Sequence, residues 1–60
     1  MENVMLDVKE CSDYLNISVS LLRKLVKRKE IPHNRVGIKI LFSRNEIDKW
    51  IRNNQINNEY

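Results

Sequence analysis

Apolar residues recur along this chain at two different periods, and the change of period divides it into elements. Val8, Cys11 and Leu15 fall three or four positions apart, with Tyr14 flanking the same side, which is the spacing of one helix face. Asp7 stands just before them and Glu10 three residues later, an acidic form of the capping box. The spacing predicts a two-turn helix over residues 8–15, with Met5-Leu6 as an apolar lead-in. Asn16-Ile17-Ser18 interrupts it: Asn tolerates the left-handed conformation at a helix end, and Ser18 suits the N-cap of a following helix. Leu22, Leu25 and Val26 form the next inward stripe, with Ser20, Arg23, Lys24 and Lys27 on the opposite side. A second helix is predicted over residues 19–29, stopped by Ile31-Pro32 because the residue before a proline avoids the α region.

From His33 onward the period shortens. Two β-rich runs flank Gly37, the only glycine, which supplies the positive φ of a tight hairpin turn. Ile40 and Phe42 alternate with Lys39 and Leu41, so one face of the hairpin packs on the helices. Ser43 and Glu46 then read as a second capping box, opening a helix whose apolar face is Ile47, Trp50 and Ile51. The tail, residues 53–60, carries no sustained apolar stripe and is expected to fray. The order is helix, turn, helix, hairpin, helix. It predicts a mainly α winged helix-turn-helix fold, one domain over residues 1–60 with its folded core at about 5–52.

Composition narrows what such a fold does. A chain of 60 residues is near the lower limit of independent folding and usually leans on disulfides, a metal or a partner. The single cysteine, Cys11, cannot form an internal disulfide, and with one histidine, His33, it offers no tetrahedral metal site. No metal and no cofactor are expected. A substrate pocket of ~300–1,000 Å³ would consume much of so small a core. Enzymatic activity is therefore disfavoured, and no residue is assigned a catalytic role; Cys11, on the inward stripe, reads as a small buried hydrophobe. No apolar run approaches the ~20 residues of a membrane span. The first residues lack the basic and apolar regions of a signal peptide, and an unpaired thiol suits a reducing compartment. A cytoplasmic location is expected.

The net charge of +3 is unevenly distributed. Residues 1–17 sum to −3, from Glu2, Asp7, Glu10 and Asp13 against Lys9. Residues 18–44 sum to +7, from Arg23, Lys24, Lys27, Arg28, Lys29, Arg35, Lys39 and Arg44 against Glu30, and residues 45–60 sum to −1. The positive charge thus falls on the second helix and the hairpin, the two elements that reach DNA in this architecture. A patch of that kind attracts a polyanion and displaces its condensed counterions.

Three stretches carry a family resemblance. They are Leu6-Asp7-Val8-Lys9-Glu10-Cys11-Ser12-Asp13-Tyr14-Leu15, then Leu25-Val26-Lys27-Arg28-Lys29-Glu30-Ile31-Pro32, and then Arg35-Val36-Gly37-Ile38-Lys39-Ile40-Leu41-Phe42 with Glu46-Ile47-Asp48-Lys49-Trp50-Ile51. In this order the chain resembles the small excisionase-type DNA-binding domains, relatives of the N-terminal domain of MerR regulators. Asn16 stands where that family usually has Gly, Cys11 and Ser12 where it has small alanines, and Ile38 and Leu41 where polar or basic residues are common. The resemblance implies a protein that binds repeated sites cooperatively, bends DNA and steers a recombinase toward excision.

On these grounds the second helix is expected to enter the major groove with Ser20, Arg23, Lys24 and Lys27. Arg23 is the base-edge candidate, Arg28 a phosphate contact, and Ser18 a cap at a phosphate-binding helix terminus. Asn34, Arg35 and Lys39 are the candidates on the wing, for phosphate or the minor groove. Ile38 and Leu41 form a candidate protein-interaction patch. The reading is a small non-enzymatic double-stranded-DNA-binding protein of a phage or mobile element, an excisionase-like recombination directionality factor. The alternatives are a transcriptional regulator with the same fold, or an interaction subunit docking onto a replication or recombination enzyme.

Overall fold

A computed structural model of the protein describes residues 3–56. The elements are β1 (Met5–Leu6), α1 (Val8–Leu15), α2 (Val19–Lys27), β2 (Asn34–Val36), β3 (Lys39–Ser43) and α3 (Arg44–Ile56). Three helices and a small antiparallel sheet make up a winged helix-turn-helix, as the periodicities predict.

The helix-turn-helix is set by its caps. Asp7 accepts from the Glu10 amide at 2.7 Å and the Glu10 carboxylate accepts from the Asp7 amide at 3.0 Å, so the acidic capping box is complete. α1 ends at Asn16 with φ of 60°, and two hydrogen bonds close its last turn: Asn16 N–H to Asp13 O and Ile17 N–H to Ser12 O. This is a Schellman closure with Asn in the left-handed place. Ser18 then caps α2 by accepting from the Leu21 amide at 3.0 Å.

α2 ends at Lys27, two residues before the end predicted from the sequence. Lys29 is the reason. Its φ is 59°, and Lys29 N–H to Val26 O with Glu30 N–H to Leu25 O forms a second Schellman closure. A lysine occupies a backbone position that glycine adopts without strain. Lys29→Gly is accordingly expected to stabilise the fold by about 0.5–1 kcal/mol, the left-handed strain relieved exceeding the extra freedom of the unfolded chain. A rise in the thermal midpoint by several degrees would show it, and a fall would refute it.

The sheet is larger than the sequence pattern predicts. Its order is β1-β3-β2, with Met5 opposite Ser43 and Leu6 opposite Phe42 on one side of β3, and Asn34, Arg35 and Val36 opposite Leu41, Ile40 and Lys39 on the other. Met5-Leu6 is thus an edge strand and not a mere lead-in. The hairpin turn is the two residues Gly37 and Ile38, with Gly37 at φ of 63° and Ile38 on the negative side, the pattern of a type II′ turn.

The core is Cys11, Leu22, Val26, Ile31, Phe42 and Ile47, drawn from the three helices, β3 and the α2–β2 connection. Leu6, Val8, Leu15, Ile17, Leu25, Ile40, Trp50 and Ile51 pack around it. Phe42, Leu22 and Ile47 are the largest fully buried side chains, each contributing ~1.5–3 kcal/mol through removal of apolar surface from water. Burial pushes the Cys11 thiol from 9.0 up to about 11. The folded state therefore holds the thiol neutral while the unfolded chain ionises near pH 9. Stability falls as pH rises from 9 through 11, and substitution of Cys11 by Ala removes that slope in pH-dependent denaturation.

The second capping box forms only in part. Ser43 Oγ accepts from the Glu46 amide at 3.3 Å, without the return bond from the Ser43 amide to the Glu46 carboxylate, and Asn3 joins the site from the other end of the chain. Asn3 Oδ1 accepts from Ser43 Oγ at 3.0 Å and from the Asn45 amide at 3.4 Å, and Val4 O accepts from the Arg44 amide. α3 continues through Ile56, four residues past the predicted end of the folded core at about 52; residues 57–60 of the tail lie outside the described residues.

Candidate nucleic-acid interface

Which side chains of α2 are free follows from its buried stripe. Leu22 and Val26 are buried and Leu25 packs against the core, so at about 100° per residue Ser20, Lys24 and Lys27 point directly away from it. Arg23 stands at one edge of the free face and Arg28 at the other. All five, Ser20, Arg23, Lys24, Lys27 and Arg28, are exposed. Ser18 is held by its cap, yet its hydroxyl hydrogen and the Val19 and Ser20 amides have no acceptor within the helix. The positive end of α2 thus faces outward with donors available to an anion.

The wing lies beside this face. Arg23 of α2 and Lys39 of β3 line one shallow groove, together with Asp7, Val8, Ile38, Ile40 and Leu41. Helix and hairpin cations therefore border a common concavity. Strand register separates the wing's own candidates: Lys39, Leu41, Asn34 and Val36 share one face, while Arg35 lies with Ile40 on the other. Arg35 and Lys39 thus flank the hairpin from opposite sides. Asn34 is exposed at its base.

Three contacts fix the wing relative to α2. Ile31 is buried, the His33 Nδ1–H donates to the Ile31 carbonyl at 2.9 Å, and Trp50 Nε1–H donates to the Glu30 carbonyl at 2.9 Å. Trp50 thereby fastens the α2–β2 connection to α3 as well as packing on the core. On the far side, Tyr14 of α1 donates to Asp48 of α3 at 2.5 Å, a bond that pushes the phenol's pKa up.

Electrostatics set the two sides apart. Among the described residues the one salt bridge is Lys9–Asp13, an exposed i,i+4 pair at 3.1 Å. Arg23, Lys24, Lys27, Arg28, Lys29, Arg35 and Lys39 are all exposed, and none is paired with a carboxylate among the described residues. These seven cations, on α2, the turn that closes it and the wing, create a field that an anionic polymer would neutralise.

The apolar side chains of the wing behave differently from one another. Ile38, at the turn, is 98% exposed, whereas Leu41 is half-buried. Val36, which the sequence pattern absorbs into a strand, is 57% exposed on the same face as Leu41. No local signal marks it, since alternation with Arg35 would turn Val36 inward. Among the described residues no group of three His, Cys, Asp or Glu is placed to hold a metal ion, and no helix is long and apolar enough to cross a membrane.

Comparison with known proteins agrees with this geometry. The profile of a family described as a helix-turn-helix domain matches residues 5–55, which takes in every element from β1 to the greater part of α3. No curated protein and no solved structure matches the chain.

Proposed function

We propose, from the premise that this chain belongs to the helix-turn-helix domain family, that it binds double-stranded DNA with α2 in the major groove and the β2–β3 wing on the adjoining backbone or minor groove. The observation that carries the reading is the set of exposed cations on α2 and the wing, of which Arg23 and Lys39 border one groove. In this reading Ser20, Arg23, Lys24 and Lys27 reach base edges, with Arg23 the candidate for a bidentate guanine contact. Ser18, Arg28, Arg35 and Lys39 hold phosphates, and Asn34 supports the wing's entrance.

A single recognition helix specifies only a few base pairs, so useful affinity requires neighbouring copies or a tethering partner. Together with the motif order Val8-Lys9-Glu10, Glu30-Ile31-Pro32 and Trp50-Ile51, this supports an excisionase-like recombination directionality factor of a phage or mobile element. It would act by arranging DNA for a recombinase and would perform no chemistry itself. A buried neutral thiol is compatible with work in the cytoplasm.

Binding to a mixed-sequence duplex, followed by fluorescence anisotropy over a range of salt, tests the DNA reading. Affinity should fall linearly on a log–log plot, with a slope set by the number of phosphates neutralised. Absence of binding at low salt would overturn it.

A further inference from the structure

We infer that Ile38 is a wedge that enters the DNA minor groove and deforms the base stack there. This rests on the DNA-binding reading above and adds to it a residue and a mechanical role. The turn places Ile38 at the outermost point of the hairpin with 98% of its surface exposed, the most exposed large apolar side chain among the described residues. Nothing in the fold requires it. It packs on no core residue, and the second central position of a type II′ turn needs no positive φ and accepts small polar residues readily.

What surrounds Ile38 identifies its occupant. Arg35 and Lys39 project from opposite faces of the hairpin behind the tip, both exposed and unpaired. The tip is therefore apolar between two cationic flanks. A minor groove has the complementary order, with apolar sugar walls and stacked base faces inside and a phosphate row along each rim. The groove linking Arg23 of α2 to Lys39 makes the tip continuous with the helix face, so a duplex seated on α2 extends to the wing. Apolar side chains inserted at base steps unstack them partially and kink the duplex by roughly 20–90°. Flexible pyrimidine–purine steps deform most readily, which would give the wing a sequence preference without hydrogen bonds to bases.

The experiment uses 30-base-pair duplexes selected from a randomised pool by the wild-type protein and labelled at both ends for energy transfer. Saturating wild-type protein should shorten the end-to-end distance. I38S, whose side chain lies outside the core, should keep its melting curve, bind within ~tenfold of wild type because the unstacking it no longer drives offsets the burial it loses, and lose most of the shortening. I38L should retain it. R23A should weaken binding instead, while the bend persists at saturation. If I38S bends the duplex as wild type does, or if wild type binds without bending, the wedge is overturned while the DNA reading stands. Unchanged bending by I38S would leave the exposed tip to a protein contact. Failure of the wild-type protein to bind duplex at low salt would remove both readings together.

Discussion

Replacing Phe42 by alanine is expected to leave the protein largely unfolded at 25 °C. Phe42 is fully buried on β3, the central strand, where it pairs across to Leu6 and faces the core shared with Leu22, Ile47 and Cys11. Phe→Ala substitutions in such sites cost ~3–5 kcal/mol, through the forfeited transfer energy and the cavity left behind. A domain of this length has only about 3–9 kcal/mol to lose, at 0.05–0.15 kcal/mol per residue. Loss of the cooperative thermal transition by circular dichroism is the expected reading. Phe42→Leu should cost much less and keep a transition. An alanine variant that melts within a few degrees of wild type would mean that the core is not organised around β3.

The second large effect is on DNA binding. Arg23→Ala together with Lys27→Ala is expected to weaken duplex binding by on the order of 10²-fold or more, since a base-edge arginine alone contributes ~1–3 kcal/mol of discrimination. Both side chains are exposed and unpaired, so the fold should be unaffected. The salt dependence distinguishes their roles. Removing a side chain that neutralises one phosphate should lower the log–log slope by about one, so a large drop in affinity with little change of slope would mark base recognition. Equal binding by the double variant would move the interface off α2. Lys29→Gly gives a useful contrast, because it removes a charge at the end of α2 while stabilising the backbone there.

The helices and hairpin were legible because their signals are local. Asp7 with Glu10, Ser18 after Asn16, and Gly37 between two β-rich runs each state a boundary within a few residues, and the structure places those boundaries where the residues indicate. The end of α2 was not legible in this way. Lysine is an ordinary helix former, and nothing beside Lys29 signals a left-handed residue; the closure forms because Ile31 must turn back into the core. β1 was hidden for the opposite reason. Two apolar residues have no period, and their partners Phe42 and Ser43 lie far along the chain. Asn3 joins the start of α3 by the same long reach, bonding the Ser43 hydroxyl and the Asn45 amide. As for the candidate interface, the free face of α2 follows from the apolar stripe alone. The separation of Arg35 from Lys39 depends on the two-residue turn, and the exposure of Val36 on the wing depends on which strand face the core claims.

The clasp of Asn3 on Ser43 and Asn45 also bears on the order of folding. It joins residues 40 and 42 positions apart, the longest sequence separations among the side-chain hydrogen bonds described. The Schellman closures, by contrast, span five residues. Local closures lose little chain entropy, whereas a distant pairing must close a long loop before any attraction compensates. The helix-turn-helix and the hairpin therefore have the means to form early, as separate pieces. The clasp, together with the burial of Ile31 and the Trp50–Glu30 bond, is then expected to join them late, setting the orientation on which the DNA-facing side depends.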